Sequence, residues 1–130
     1  MKSKEDLIIY IVAGDEMKSI MESKYPNRTI IPFRENLSIG QNNRYIIDNI
    51  FIEERSKALN VSKEEYSKKI KPMIDIDTNR EYVLVFGLDD CCKANLDFVV
   101  KYLRNKGYEK KIKVNIVDEY NLDIIREYQL

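Results

Sequence analysis

The chain has 130 residues, enough for a single α/β domain over 1–130, and its 44% hydrophobic and 34% charged content is that of an ordinary globular protein. Its 22 basic and 22 acidic residues balance, which excludes the cationic surplus that broad nucleic-acid binding needs, and no apolar run reaches the roughly 18 residues of a membrane-spanning helix. Histidine is absent, which removes His-based triads, His-ligated zinc and His general bases.

The opening MKSKEDLIIYIVAGDE places acids and a strand where a signal peptide needs a long apolar stretch, so a cytoplasmic location is expected. The first strand is read at Leu7–Ala13. Gly14 then turns the chain, and Asp15 is expected to cap a helix bearing Met17, Ile20 and Met21 on one side. Pro26 and Asn27 end it. The second strand, Arg28–Phe33, contains Pro32, which has no N–H for a ladder, so this strand is placed at a sheet edge. A polar loop, Arg34–Asn43, follows, and a helix is expected over Arg44–Leu59. Ser62 and Glu65 form a capping box that opens another helix, and Pro72 is expected to end it.

The third strand is Glu81–Phe86. Gly87 turns the chain, Asp89 or Asp90 caps the next helix, and Cys92, Leu96, Val99, Val100 and Leu103 give that helix its apolar stripe. Gly107 is its expected stop. The fourth strand is Lys113–Val117, and Asn121 is expected to cap a final helix at Leu122–Tyr128. Alternation of strands and helices predicts an α/β, three-layer-like fold. Its four-stranded sheet is mostly parallel, ordered 2-1-3-4, with flanking helices and a two-helix crossover between strands two and three.

Parallel strands bring the polar clusters after each strand to one sheet edge, where open α/β sheets bind ligands. The residues expected to hold a ligand there are Gly14, Asp15, Arg34, Glu35, Asn36, Ser38, Gly40, Asp90 and Asn95. Arg34 suits a phosphate or carboxylate, and Ser38 with the Gly40 backbone would complete the contacts. For most of these residues a purely structural reading stands beside the functional one. Gly14 makes a turn, Asp15 and Asp90 cap helices, the Arg34–Gly40 loop folds on its own hydrogen bonds, and Asn95 satisfies neighbouring backbone. If Arg34 and Glu35 are exposed, alanine at either should change stability by no more than about 0.5 kcal/mol.

Neither a G-x-G-x-x-G nor a G-x-x-x-x-G-K-[ST] phosphate cradle occurs, and the adjacent Cys91 and Cys92 form neither a C-x-x-C pair nor a zinc site. No metal or cofactor is assigned. Paired Asp89-Asp90 with Asp118 or Glu119 would suit Mg²⁺, with helix capping as the alternative role, and Asp15, Glu35, Asp89, Asp90 and Asp118 converging with Arg34 are the set that supports an Mg²⁺ enzyme. Three functions therefore stand. The first is a domain that binds a small ligand or protein partner through its strand-end loops. The second is an Mg²⁺-dependent enzyme acting on a phosphorylated small molecule or nucleotide. The third is an interaction or inhibitor protein using the 44–71 helices. Nucleic acid and membranes are not expected partners.

The segments IYIVAGDE, ENLSIG, LVFGLDDCCKANLDFVVKYL and VNIVDE resemble a bacterial family catalogued as domain of unknown function 1835. The resemblance runs through a G-[DE]-S-like turn after the first strand, a D-D-L-x-x-G-P-like loop after the second, and a Cys-x-x-Asn-Leu helix start. It points to Gly14, Asp15, Glu35, Leu37, Ser38, Gly40, Asp90, Cys92, Asn95 and Leu96. The chain departs from the pattern at Glu16, Asn36 and Gln41. The resemblance implies shared strand-end loops and supplies no reaction.

Overall fold

A computed structural model describes residues 7–40 and 44–130. Five strands form one sheet in the order β2-β1-β3-β4-β5: β1 Ile8–Val12, β2 Thr29–Pro32, β3 Glu81–Phe86, β4 Lys113–Val117 and β5 Ile124–Gln129. The first four are parallel, as their β-branched runs and helical crossovers dictate, and the expected 2-1-3-4 order holds. Pro32 closes the edge strand β2, with Val12 opposite it.

The helices are α1 Asp15–Lys24, α2 Asn49–Ala58, α3 Lys63–Ile74 and α4 Asp90–Asn105. Alternate strand residues sort them onto two faces. Met17 and Met21 of α1 pack with Val12, Val83, Val85 and Val117. On the other face α2, α3 and α4 bury Phe51, Tyr66, Ile70, Phe98 and Val99 against Ile11, Leu84, Phe86 and Val114. Phe98 stacks at 5.7 Å on Phe33 and 5.3 Å on Phe51, which joins α4, the residue after β2, and α2 in one aromatic core.

The sequence-based expectation needs correction at four places. The final segment is not a helix. Asn121 turns the chain instead of capping one, its Oδ1 accepting from the Asp123 N–H at 2.9 Å, and Ile124–Gln129 then pairs antiparallel with β4. Pairing with the ladder of β4 outweighs the weak helical pattern of six residues. The helix expected from Arg44 starts at Asn49, because Asp48 is its N-cap and accepts from the Phe51 N–H at 2.8 Å. Pro72 does not end α3, which continues to Ile74. Its end is held by Tyr102, whose hydroxyl donates to the Met73 carbonyl at 2.7 Å, and by Lys106 on the Ile74 carbonyl at 3.0 Å. Finally, Asp15 does not cap α1: Gly14 is the N-cap, at φ 116°, with no side-chain capping bond. Gly107, at φ 90°, ends α4 as expected, with Tyr108 N–H on the Leu103 carbonyl at 3.0 Å.

Candidate functional site

The chain leaves β1 toward α1 on one face and leaves β3 toward α4 on the other. That divergence opens a crevice outside the carboxyl ends of the two strands, the position where doubly wound sheets take ligands. A cleft of about 470 Å³ lies there, lined by Ala13, Glu16, Met17, Asp89, Cys91, Cys92, Glu119 and Tyr120. Three carboxylates face it and no lysine or arginine lines it.

Asp89 is the N-cap of α4 and accepts from the Cys92 N–H at 2.7 Å. Glu119, in the turn after β4, hydrogen-bonds to the Asp89 carboxyl. That bond and the Cys92 N–H hold Asp89 below the usual carboxylate range, whereas the Asp89 carboxyl raises Glu119. The two titrate as a pair. Gly87 permits their approach, since a Cβ there would fall 2.7 Å from Glu119 Oε1. Among the described residues, Asp89, Cys92 and Glu119 are the one group of three donors within 4.8 Å of one another. Burial pushes the Cys92 thiol up to about 12 and raises Cys91 also, so neither is a ready thiolate at neutral pH.

None of the nine residues singled out from the sequence is among those lining the cleft. Asp15 receives Arg34 Nε at 3.0 Å on each oxygen, and this exposed pair ties the start of α1 to the loop after β2. Gly14 provides the turn, and Asp90 is exposed on the first turn of α4. The remaining residues of the loop are engaged within the fold. The Glu35 side chain is 0% exposed and that of Arg55 is 1% exposed, and they meet in a two-pronged pair, Nη2 to Oε1 at 2.7 Å and Nε to Oε2 at 3.1 Å. Tyr66 donates its hydroxyl to Glu35 Oε2 at 2.6 Å, and burial beside that carboxylate drives the phenol pKa far up. Arg55 also donates to the Ile39 carbonyl at 2.7 Å and the Asn36 carbonyl at 2.9 Å.

Asn95, 2% exposed, completes this clamp from α4. It donates to the Glu35 carbonyl at 2.7 Å and accepts from the Leu37 N–H at 2.9 Å. Asn36 Oδ1 accepts from the Ser38 N–H at 3.1 Å and from the Ser38 hydroxyl. At Gly40, φ is 77° and a Cβ would meet Arg55 Nη1 at 3.0 Å. Glu35 is therefore not the exposed residue that tolerates alanine, because its carboxylate anchors the loop to α2 and α3.

Sequence reasoning missed Arg55 and Tyr66. A signal for Arg55 was present: Phe51, Arg55 and Leu59 recur at i, i+4 and i+8, which puts the arginine on the apolar stripe of its helix. No helix is long and apolar enough to cross a membrane among the described residues. Comparison with protein-family models, with curated proteins and with solved structures found no match.

Proposed function

We propose that the chain is a ligand-binding domain whose site is the cleft between the carboxyl ends of β1 and β3, and whose ligand presents positive charge to Asp89 and Glu119. The observation that carries this reading is the Asp89–Glu119 carboxyl pair, set beside Glu16 in a cleft with no lysine or arginine in its lining. A phosphate on its own would meet like charge there, and Arg34, the expected phosphate clamp, is paired with Asp15. A divalent cation or an amine meets complementary charge. The pattern that resembles the domain of unknown function 1835 family supports membership as part of the same proposal.

The same pair favours a second reading, the Mg²⁺-dependent enzyme. Magnesium keeps several waters and takes one or two carboxylates beside substrate phosphates, which suits Asp89 and Glu119, while the protonated Cys92 thiol adds nothing to an oxygen-seeking ion. In that reading a phosphorylated compound binds only when Mg²⁺ is present.

Thermal-shift titration at low salt with Mg²⁺, Ca²⁺, Mn²⁺ and spermidine, with and without a nucleoside triphosphate, tests both readings. A saturable rise in Tm from a cation, lost in Asp89→Asn and Glu119→Gln, supports the binding domain. A rise from the triphosphate that requires Mg²⁺ and both carboxylates favours the enzyme. No rise from any cation, or a rise from the triphosphate alone, overturns the assignment of positive charge to the ligand.

A further inference from the structure

A second concave surface lies on the opposite flank of α4, where β5 ends the sheet. It is about 410 Å³ in volume, and its apolar lining includes Leu88, Leu96, Val100, Ile116, Ile125 and Tyr128. Lys93, Leu96, Asp97 and Val100 of α4 supply one wall at i, i+3, i+4 and i+7, the spacing that puts four residues on one helix face. The antiparallel strand β5 supplies the other with Ile125, Arg126 and Tyr128, and the β4–β5 ladder shifts register at Ile116/Val117, where Ile125 is left without a partner in the register. Leu88 is 57% exposed and Ile125 56%, so large apolar side chains from two separate segments of the chain border one hollow.

The charged side chains in its lining are Lys93, Asp97 and Arg126. Asp97 is joined to Lys101 Nζ at 3.1 Å. Neither Lys93 nor Arg126 has an acidic partner among the described residues, and the Arg126 guanidinium is steadied 5.0 Å above the Tyr128 ring. An apolar hollow of a few hundred Å³ with a small number of charged groups is the ordinary make-up of a small-molecule site, the apolar walls giving affinity and the charges orientation.

We propose that this groove between α4 and β5 binds an amphiphilic carboxylate, its hydrocarbon body against Leu88, Leu96, Val100 and Ile125 and its anionic head on Arg126 and Lys93. The sign of the charge makes it the counterpart of the acidic cleft across α4, and the proposal does not rest on the reading of that cleft. Isothermal titration of the full chain with dodecanoate below its micelle-forming concentration tests it, with dodecyltrimethylammonium as the tail-matched cation. Dodecanoate should saturate one site, Arg126→Glu should weaken it about tenfold or more, and Ile125→Asp should abolish it. Asp89→Asn, in the other cleft, should leave it unchanged. Ile125 and Leu88 are both exposed, so Leu88→Asp, on a different segment, serves if Ile125→Asp fails to fold. Absence of saturable binding to the unmodified protein overturns the proposal. So does equal affinity for the ammonium amphiphile, or dodecanoate affinity that survives both Arg126→Glu and the apolar-wall variant.

Discussion

Arg55→Met tests whether the loop after β2 is held by a desolvated ion pair. Methionine keeps much of the length and apolar stem of arginine but none of its donors. The variant leaves the Glu35 carboxylate, 0% exposed, with the Tyr66 hydroxyl and the Asn36 N–H as its remaining donors, and strips donors from the Asn36 and Ile39 carbonyls. Removing one member of a buried pair costs about 3–5 kcal/mol, chiefly because the other charge stays buried without its counter-ion. At about 2 cal/mol/K of unfolding entropy per residue, a 130-residue chain unfolds with roughly 270 cal/mol/K, so the expected loss of Tm is about 11–18 °C. Urea unfolding followed by circular dichroism gives the free energy, and a thermal melt checks it.

The double variant Glu35→Gln/Arg55→Met sharpens the reasoning. It contains no uncompensated charge, and the glutamine amide still accepts from Tyr66. It should therefore be more stable than Arg55→Met alone, which is the reverse of additive behaviour. A cost below about 1 kcal/mol for Arg55→Met, with the native spectrum retained, would place the pair in water and refute its role as the anchor of the loop.

Asn95→Ala removes both hydrogen bonds from a buried amide and should cost about 2 kcal/mol by urea unfolding. Gly87→Ala should change stability by no more than about 1 kcal/mol, since the atoms in its way belong to the flexible Glu119 side chain, yet a cation-induced thermal shift should be lost as the Asp89–Glu119 pair is pushed apart. Iodoacetamide labelling read by mass spectrometry should be slow at pH 7 for both cysteines and should rise with pH. It should reach half-buried Cys91 before Cys92, whose buried thiol is pushed up to about 12.

Sheet order was legible because it rests on strong local signals. Pro32 forces β2 to an edge, β-branched runs define β1, β3 and β4, and the glycine at 107 closes α4. The segment Ile124–Gln129 was not legible. Its six residues fit either period, and what decides is a ladder partner that includes Lys113 paired with Glu127 at 2.9 Å. The same limit applies to the loop. Its density of hydrogen-bonding side chains was visible, but their partners lie 20, 31 and 60 positions away, at Arg55, Tyr66 and Asn95, and no local pattern announces a contact of that span. Two of the cleft acids, Asp89 and Glu119, were visible in the sequence as part of a set with Asp90 and Asp118. Which of them meet depends on the space left by Gly87 and on the turn in which Asp118 Oδ1 accepts from the Tyr120 N–H.

The polar residues after β1 and β3 also explain why the absence of a glycine-rich phosphate cradle is not a lost version of one. Helices α1 and α4 both begin at this end of the sheet, and their N-termini carry partial positive charge, the feature that lets related architectures hold a phosphate. Here the first turn of α1 carries Asp15 and Glu16, and α4 opens with Asp89 as its cap and Asp90 in its first turn. Each helix end is thus already answered by carboxylates of its own chain. The Asp89 cap does more than neutralise its helix, because Glu119 arrives from a third strand end with no helix dipole to satisfy and a neighbouring carboxyl that raises its own pKa. A structural cap needs one carboxylate; the second adds repulsion that folding alone does not require. A cation bound between the two carboxylates would relieve that repulsion. Its affinity should therefore grow as pH rises through the raised pKa of Glu119, and a thermal-shift titration at several pH values would refute the argument if the affinity were flat or fell.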